Sequence, residues 1–424
     1  MKTKAVRLYG QKDLRLETVE LPPIKEGEIL ARIISDSLCM SSYKASTQGP
    51  DHKRIPDNVA ENPIMIGHEF CGEIVEVGTR WKDQFKPGEK FSIQPAMNDP
   101  NGPVGILSAP GYSYPYIGGD SQYIVIPEAV MERKCLLPYA GEAFYLGSLA
   151  EPMSCVIGAF HANYHTYPGS YEHSMGIVEG GATAILAGVG PMGLAAIDYA
   201  LHCDRKPGLL VVTDIDNDRL ARAASFFTVE EAAKEGIKLI YLNTAEPGID
   251  TNYMKALTPD GAGFNDVFVF APVRPLIEQA DLLLANDGCL NFFAGPSDPD
   301  FKAEFNFYNV HYAATHVVGT SGGNTDDMIE SLKLMEGGRI NPSTLVTHIG
   351  GLDAVIETTL NLPQIPGGKK LIYTGISLPL TPLAELQNES DPMLQELGRM
   401  VEKANGLWSP EAEKYLLAHA KPIA

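Results

Sequence analysis

The sequence predicts an α/β protein with a β-rich first domain, a doubly wound parallel sheet and a C-terminal helical extension. The first 150 residues contain short alternating segments separated by Gly and Pro, for example residues 122–126, which is typical of strands with one solvated face. Further along, continuous apolar runs such as residues 182–187 alternate with helical segments, which indicates a parallel sheet covered on both faces. From about residue 375, apolar residues recur at helical spacing after Asp391-Pro and Ser409-Pro, two helix-start signals.

Length and charge limit the classes of partner. The chain has 424 residues, with 33 Lys and Arg against 53 Asp and Glu, and a formal net charge of −20. This length suggests two or three domains. Because an acidic surface repels phosphate backbones and anionic lipid, we expect neither nucleic acid nor a membrane as a partner.

The cysteines and the N-terminus indicate the compartment. The six cysteines include no C-x-x-C pair, so reduced thiols are expected rather than a disulfide framework. The N-terminus lacks the apolar segment of a signal peptide, and no apolar run approaches the roughly 18 residues that span a bilayer. We therefore expect a cytoplasmic protein.

A glycine-rich loop follows the apolar run 182–187 and precedes a helical segment. Its three glycines would allow a tight turn, close approach of a pyrophosphate, and close packing of helix on strand. Asp214 ends the next apolar run, near the spacing of about 20 residues at which a carboxylate binds the ribose hydroxyls. The predicted dinucleotide-binding residues are Gly188, Val189, Gly190, Pro191, Met192, Gly193 and Asp214.

The identity of the nucleotide is less constrained. The Asp214 carboxylate would repel a 2′-phosphate, which favours NAD(H) over NADP(H). Methyltransferases share a glycine loop and an acid after the second strand, so this class remains an alternative on these features alone.

Four side chains in the first 151 residues could bind a metal ion. Cys39, His68, Glu69 and Glu151 offer the thiolate, imidazole and carboxylate ligands of a catalytic zinc. Taken singly, each also has an ordinary explanation as a buried small residue, a hydrogen-bonded histidine or a solvated acid.

Several motifs together resemble the zinc-dependent medium-chain alcohol and polyol dehydrogenases over residues 1–374. The resemblance implies a GroES-like β-rich catalytic domain over 1–156, completed by 323–374, and a Rossmann domain over 157–322, with the C-terminal helical extension over 375–424. Glu151-Pro-Met-Ser indicates the sorbitol-dehydrogenase-like branch. The matching motifs are Cys39-Met-Ser-Ser, Gly67-His-Glu-Phe-Cys-Gly, Lys86-Pro-Gly-Glu, Glu151-Pro-Met-Ser, the glycine loop and Pro366-Gly-Gly-Lys-Lys.

The resemblance also implies roles for individual residues. Cys39 and His68 would bind one catalytic zinc, with Glu69 and Glu151 as third ligand, directly or through water. Ser41 would relay the substrate proton, and Arg219 would contact the adenosine ribose. The family's structural-zinc lobe should lie near residues 95–115, which contain no Cys, so no structural zinc is expected.

The resemblance implies a reaction of one type, hydride transfer between NAD(P)(H) and a sugar or polyol. The tail is similar to that of the L-sorbose-1-phosphate reductases, which implies interconversion of L-sorbose 1-phosphate and D-glucitol 6-phosphate by a homodimer or homotetramer. The alternatives are an unphosphorylated polyol or secondary alcohol as substrate, a quinone-type reductase without metal, and a catalytically silent nucleotide-binding protein. Cys39 and His68 argue against the quinone-type reductase.

Two turn-rich stretches, 44–63 and 95–119, are predicted to be long surface loops or lobes. The first carries Lys44, Lys53 and Arg54, which are candidates for binding a substrate phosphate. A solvated loop is the more ordinary interpretation of these charges.

Overall fold

A computed structural model describes residues 1–167 and 169–424 and divides into two compact units. Residues 1–151, 324–336 and 345–424 form the first unit, and residues 152–323 and 337–344 form the second. Within the described residues, no helix is both long and apolar enough to cross a membrane.

The strands are short, and most lie in one sheet per unit. In chain order they are β1 (Lys2–Gly10), β2 (Asp13–Glu20), β3 (Ile29–Leu38), β4 (Ile64–Met65), β5 (Phe70–Val77), β6 (Lys90–Ile93), β7 (Pro103–Ile106), β8 (Tyr123–Ile126), β9 (Leu136–Pro138), β10 (Tyr164–Thr166), β11 (His173–Met175), β12 (Ala182–Leu186), β13 (Leu209–Asp214), β14 (Lys238–Asn243), β15 (Phe264–Val269), β16 (Leu284–Phe292), β17 (His316–Val318), β18 (Val346–Gly351), β19 (Lys369–Tyr373) and β20 (Thr381–Pro382).

The α-helices lie between these strands and at the C-terminal end. They are α1 (Met40–Gln48), α2 (Glu128–Glu132), α3 (Phe144–Ser148), α4 (Ala150–Ala162), α5 (Pro191–His202), α6 (Asn217–Phe226), α7 (Val229–Lys234), α8 (Thr251–Ala256), α9 (Arg274–Leu283), α10 (Phe307–Tyr312), α11 (Thr325–Glu336), α12 (Val355–Asn361), α13 (Pro392–Lys403) and α14 (Pro410–His419).

The first unit is built on a largely antiparallel sheet in the order β20-β18-β19-β3-β5-β6-β9, with β8 paired to β3. Side chains from β3, β5, β6 and β8 fill its core, including Ile29, Ile74, Phe91 and Ile124. The alternation of apolar and polar residues predicted these strands correctly because one face of each packs on this core.

The second unit is a parallel sheet in the order β14-β13-β12-β15-β16-β17. Every residue of β12 and β13 is buried, as expected for strands covered on both faces. The order reverses between β12 and β15, and ligands of such sheets bind at this switch point, beyond the carboxyl ends of the strands. The predicted doubly wound Rossmann sheet is confirmed.

The C-terminal extension forms helices that pack on the first unit. Asp391 and Ser409 cap α13 and α14 through their side chains, and Pro occupies the first turn of both helices. Trp408 is fully buried and donates a hydrogen bond from Nε1 to the Tyr373 hydroxyl (2.7 Å). The extension therefore completes a core around β18 and β19.

The stretch 44–63 is a surface loop only in part, since residues 52–63 lie outside any helix or strand. Its first part lies in α1 and in a 3₁₀ turn at Gly49–Asp51. Ile55 and Val59 are buried in a cluster with Val6 and Leu8 of β1. The burial of Ile55 and Val59 was not predicted, because two isolated apolar residues among polar ones give no periodic signal.

Candidate metal centre and nucleotide site

The pairing of two neighbouring strands brings Cys39 and His68 together. Strands β3 and β5 pair antiparallel with Asp36 opposite Phe70. Cys39 follows the end of β3, and His68-Glu69 precedes the start of β5. Because the two strands are antiparallel, all three residues lie at the same end of this strand pair. One potential ligand atom from each of Cys39, His68 and Glu69 lies within 4.8 Å of the others.

Hydroxyl groups surround the imidazole of His68. Ser41 Oγ donates to Cys39 Sγ (3.1 Å) and lies 3.1 Å from His68 Nε2, and Ser42 Oγ lies 3.1 Å from His68 Nδ1. The Tyr112 hydroxyl is 3.2 Å from Nε2. Burial lowers the pKa of His68, so the ring is neutral at pH 7, the form that binds metals.

The sequence analysis did not predict two of these hydroxyl contacts with His68, those of Ser42 and Tyr112. Ser42 follows Ser41 on α1, and its contact with the ring could have been suspected from that adjacency. Tyr112 lies in a turn-rich stretch 44 positions from His68, and nothing in the local pattern indicates the contact.

Glu69 forms a buried ion pair. Lys369 Nζ donates to both carboxylate oxygens at 2.5 and 2.6 Å, and the two side chains are only 7% and 1% exposed. Burial acts to raise the pKa of Glu69, but the charge of Lys369 and its hydrogen bonds outweigh this effect and lower the pKa. Lys369 begins β19, which pairs with β3 next to Cys39. Lys369 thus competes with any metal ion for the Glu69 carboxylate.

Glu151 lies in the first turn of α4 and is nearly buried. Burial raises its pKa to about 7, and the negative charge of Glu69 acts in the same direction, as does Cys39. Burial also raises the pKa of the Cys39 thiol. Cys39, His68 and Glu69 form the donor set that fits zinc. The Glu151 carboxylate lies outside this group of atoms but is close enough for its charge to interact with all three residues.

The glycine loop connects β12 to α5 with very little space. A Cβ on Gly193 would lie 2.3 Å from Gly188 O, and one on Gly188 would lie 2.5 Å from Ile185 Cγ2. A side chain at position 193 would therefore push the helix away from the loop backbone, and one at position 188 would clash with Ile185. The backbone N–H groups at the start of α5, near Gly190, are suited to bind an anion.

Asp214 and Arg219 lie close to this loop. Asp214 ends β13 and is buried, and its Oδ1 accepts hydrogen bonds from the backbone N–H groups of Ile215 (2.9 Å) and Asp216 (3.2 Å). Arg219 Nη1 is 3.9 Å from Asp214 Oδ1, and its Nη2 would lie 3.4 Å from a Cβ on Gly190. The second unit therefore brings the predicted dinucleotide-binding residues together.

A Rossmann sheet with this loop, and a β-rich unit with a Cys–His–Glu group, are features of metal-type dehydrogenases. Residues 25–135 match the alcohol dehydrogenase GroES-like domain family. The chain is similar to the L-sorbose 1-phosphate reductase of Klebsiella pneumoniae (53% identity, covering 99% of this chain and 98% of that protein). It is also similar to the mannitol-1-phosphate 5-dehydrogenase of Aliivibrio fischeri (54% identity, 98% and 97% covered).

Among solved structures, 2R,3R-butanediol dehydrogenase from Bacillus subtilis shares the fold, with a TM-score of 0.68 at 22% identity, covering 88% of this chain and 99% of that one. The chain belongs to the medium-chain alcohol dehydrogenase family, as its motifs predicted, and it is an enzyme of the dehydrogenase and reductase class.

Proposed function

We propose that the protein transfers a hydride between NAD(P)(H) and a ketose phosphate or polyol phosphate, with L-sorbose 1-phosphate and D-glucitol 6-phosphate as the pair. The observation that carries the proposal is the group of Cys39, His68 and Glu69 within 4.8 Å, beside the serine expected to relay a proton. The substrate class is supported by the names of relatives that are more than half identical over nearly the whole chain.

We propose that Cys39, His68 and Glu151 bind one catalytic zinc ion. Glu151 is preferred to Glu69 as third ligand because Lys369 already holds both oxygens of Glu69. The chemistry that zinc supplies at these residues is polarisation of a carbonyl oxygen and stabilisation of an alkoxide.

The remaining roles belong to side chains that bind, orient or move a proton. Ser41 Oγ passes the proton of the substrate hydroxyl outward, since it already contacts both Cys39 and His68. Ser42 holds the His68 ring through Nδ1, which fixes its orientation. The N–H groups at Gly190 bind the pyrophosphate of the dinucleotide, whose nicotinamide supplies the hydride.

We propose NAD(H) as the preferred dinucleotide. Asp214 ends β13, and a carboxylate at this point of a Rossmann sheet would accept hydrogen bonds from ribose hydroxyls and oppose a 2′-phosphate. Arg219 is close enough to offset part of this repulsion, so the margin between NADH and NADPH is expected to be modest.

A substrate panel tests the proposal. L-sorbose 1-phosphate, L-sorbose, D-fructose 6-phosphate and a simple secondary ketone are supplied with NADH or NADPH, and oxidation of the reduced nicotinamide is followed by absorbance before and after chelation. Turnover of a ketose phosphate that chelation removes and zinc restores supports the proposal. Turnover of the unphosphorylated compounds alone, or activity that chelation leaves intact, contradicts it.

We also propose that the enzyme is a homo-oligomer that uses the edge of the second unit's sheet. Strand β17 lies at that edge, and its Val317 is exposed. Three aromatic residues of α10, the helix that precedes β17 in the chain, are also exposed: Phe307, Tyr308 and Tyr312. An exposed edge with apolar side chains favours pairing with a second copy. Sedimentation equilibrium of the wild type and of Val317→Lys tests this, since the variant should dissociate.

The six cysteines are free thiols. We propose a reducing, cytoplasmic location on this basis, because cysteines persist as thiols where the redox poise is reducing.

A further inference from the structure

Arg54 is held in place by the buried residues that follow it in the chain and by two hydrogen bonds. Ile55 and Val59 are buried against β1. Ser113 Oγ donates to the Arg54 carbonyl oxygen (2.7 Å), and Arg54 Nη1 donates to the Leu107 carbonyl oxygen (3.2 Å). Its half-buried guanidinium therefore has a defined location.

That location is close to the candidate metal centre. The guanidinium carbon of Arg54 lies 5.6 Å from the centre of the Tyr112 ring, and the hydroxyl of the same tyrosine is 3.2 Å from His68 Nε2. A single aromatic ring thus separates the guanidinium from a proposed zinc ligand. A guanidinium presents five N–H donors in a fork that matches phosphate oxygens.

Other cations reinforce the positive charge. His52 stacks on Tyr112 with ring centres 6.1 Å apart, and burial together with the charges of Arg54, Lys53 and Lys44 lowers its pKa to about 4. The ring is therefore neutral at pH 7, and its Nδ1 accepts from the Arg54 backbone N–H (3.3 Å), so Nε2 carries the proton. Although the whole chain has a net charge of −20, the cations Arg54, Lys53 and Lys44 and the neutral donor His52 lie close together. This local positive charge would attract a dianion such as a phosphate.

We propose that Arg54, with Lys44 and Lys53, binds the substrate phosphate, and that the phosphate is carried on the carbon adjacent to the reacting carbonyl. The inference rests on the proposed function and adds the position of the phosphate. Tyr112 is next to both His68 and Arg54. The proposed zinc ligand and the proposed phosphate ligand are therefore close together, which fits a substrate whose carbonyl and phosphate are on adjacent carbons. L-sorbose 1-phosphate has this spacing, whereas oxidation of mannitol 1-phosphate at carbon 5 places the phosphate at the far end of the carbon chain.

Steady-state kinetics of the zinc-loaded protein test the site. In Arg54→Gln, KM for L-sorbose 1-phosphate should rise roughly 10- to 100-fold, the effect of losing a charge-assisted hydrogen bond, while kcat and the kinetics with L-sorbose change little. Arg54→Lys should recover part of the loss. Arg80→Gln, which removes an exposed guanidinium of the same unit, is the matched control and should leave both substrates unaffected.

Two results would overturn the inference. One is an equal loss for L-sorbose and its phosphate in Arg54→Gln, which would mean that Arg54 only supports the fold. The other is a wild-type preference for D-fructose 6-phosphate that Arg54→Gln leaves unchanged, which would place the phosphate elsewhere.

Calorimetric titration of the chelated protein with L-sorbose 1-phosphate separates the two proposals. Binding that is weakened by Arg54→Gln, without turnover of any ketose by the zinc-loaded enzyme, would reject the proposed function and retain the phosphate site. Turnover together with binding that is insensitive to Arg54→Gln would reject the site alone.

Discussion

Replacing Lys369 tests the electrostatic design of the candidate metal centre. Lys369→Met removes the only ammonium that the structure shows within hydrogen-bonding distance of the Glu69 carboxylate, among the described residues, and keeps a side chain of similar length. The Glu69 side chain, only 1% exposed, is then left without a cation, beside Cys39 and the buried Glu151.

The size of the effect follows from this burial. Breaking a buried ion pair by removing one partner costs about 3–5 kcal/mol, because the remaining charge loses both its partner and its hydration. Glu69→Gln should cost a similar amount by stranding the ammonium of Lys369. The double variant Glu69→Gln/Lys369→Met leaves no stranded charge, so its loss should be well below the sum of the single losses.

Urea unfolding of the chelated proteins measures these free energies at pH 7 and pH 4. The pair lowers the pKa of Glu69 and raises that of Lys369, so its contribution is present between their ordinary values of 4.5 and 10.5 and is lost as pH falls through the lowered pKa of Glu69. In Lys369→Met the unpaired, buried Glu69 takes up a proton as pH falls, because burial then raises its pKa. The difference between wild type and Lys369→Met should therefore be larger at pH 7 than at pH 4. If the loss in the double variant equals the sum of the two single losses within about 0.5 kcal/mol, the reasoning is refuted, because the effects of replacing two coupled partners are not additive.

Three further outcomes are expected. Cys39→Ser and His68→Ala should abolish turnover while fluorescence titration shows NADH affinity nearly unchanged; equal loss of both would assign these side chains to the fold alone. Burial acts to lower the pKa of His165, but hydrogen bonding to Asp266, 3.0 Å away, and the charge of Asp266 raise it overall. The unfolding free energy should therefore fall as pH rises above about 6.5. His165→Gln should reduce this dependence of the unfolding free energy on pH. Glu413 accepts hydrogen bonds from two backbone N–H groups at the start of α3, so Glu413→Ala should lower the unfolding free energy by about 2–5 kcal/mol, and a loss under 0.5 kcal/mol would contradict this.

The elements that the sequence predicts well are those whose signal is local. The strand before Gly188 and the helix after Gly193 directly flank the glycine loop in the sequence. The glycine spacing of the loop therefore predicts both elements. Asp391-Pro and Ser409-Pro mark helix starts in the same way, since a cap acts within three residues.

The contacts that escape the sequence are those set by strand register and distant packing. Glu69 and Lys369 are 300 residues apart, and only the pairing of β19 with β3 brings them together. Arg54 reaches Tyr112 because Ile55 and Val59 anchor a stretch that otherwise has the composition of a loop. Motif spacing contains no information about either contact.

The discontinuous first unit has a consequence for synthesis on the ribosome. Residues 152–323 emerge before β18 and β19, so the nucleotide-binding sheet can form while the sheet that holds Cys39 and His68 still lacks neighbouring strands. Until Lys369 leaves the exit tunnel, Glu69 has no ammonium to neutralise it, and the nascent chain carries an open sheet edge at β3. Neutralisation of Glu69 beside the thiol–imidazole pair is therefore a late folding step that depends on residues 345–424.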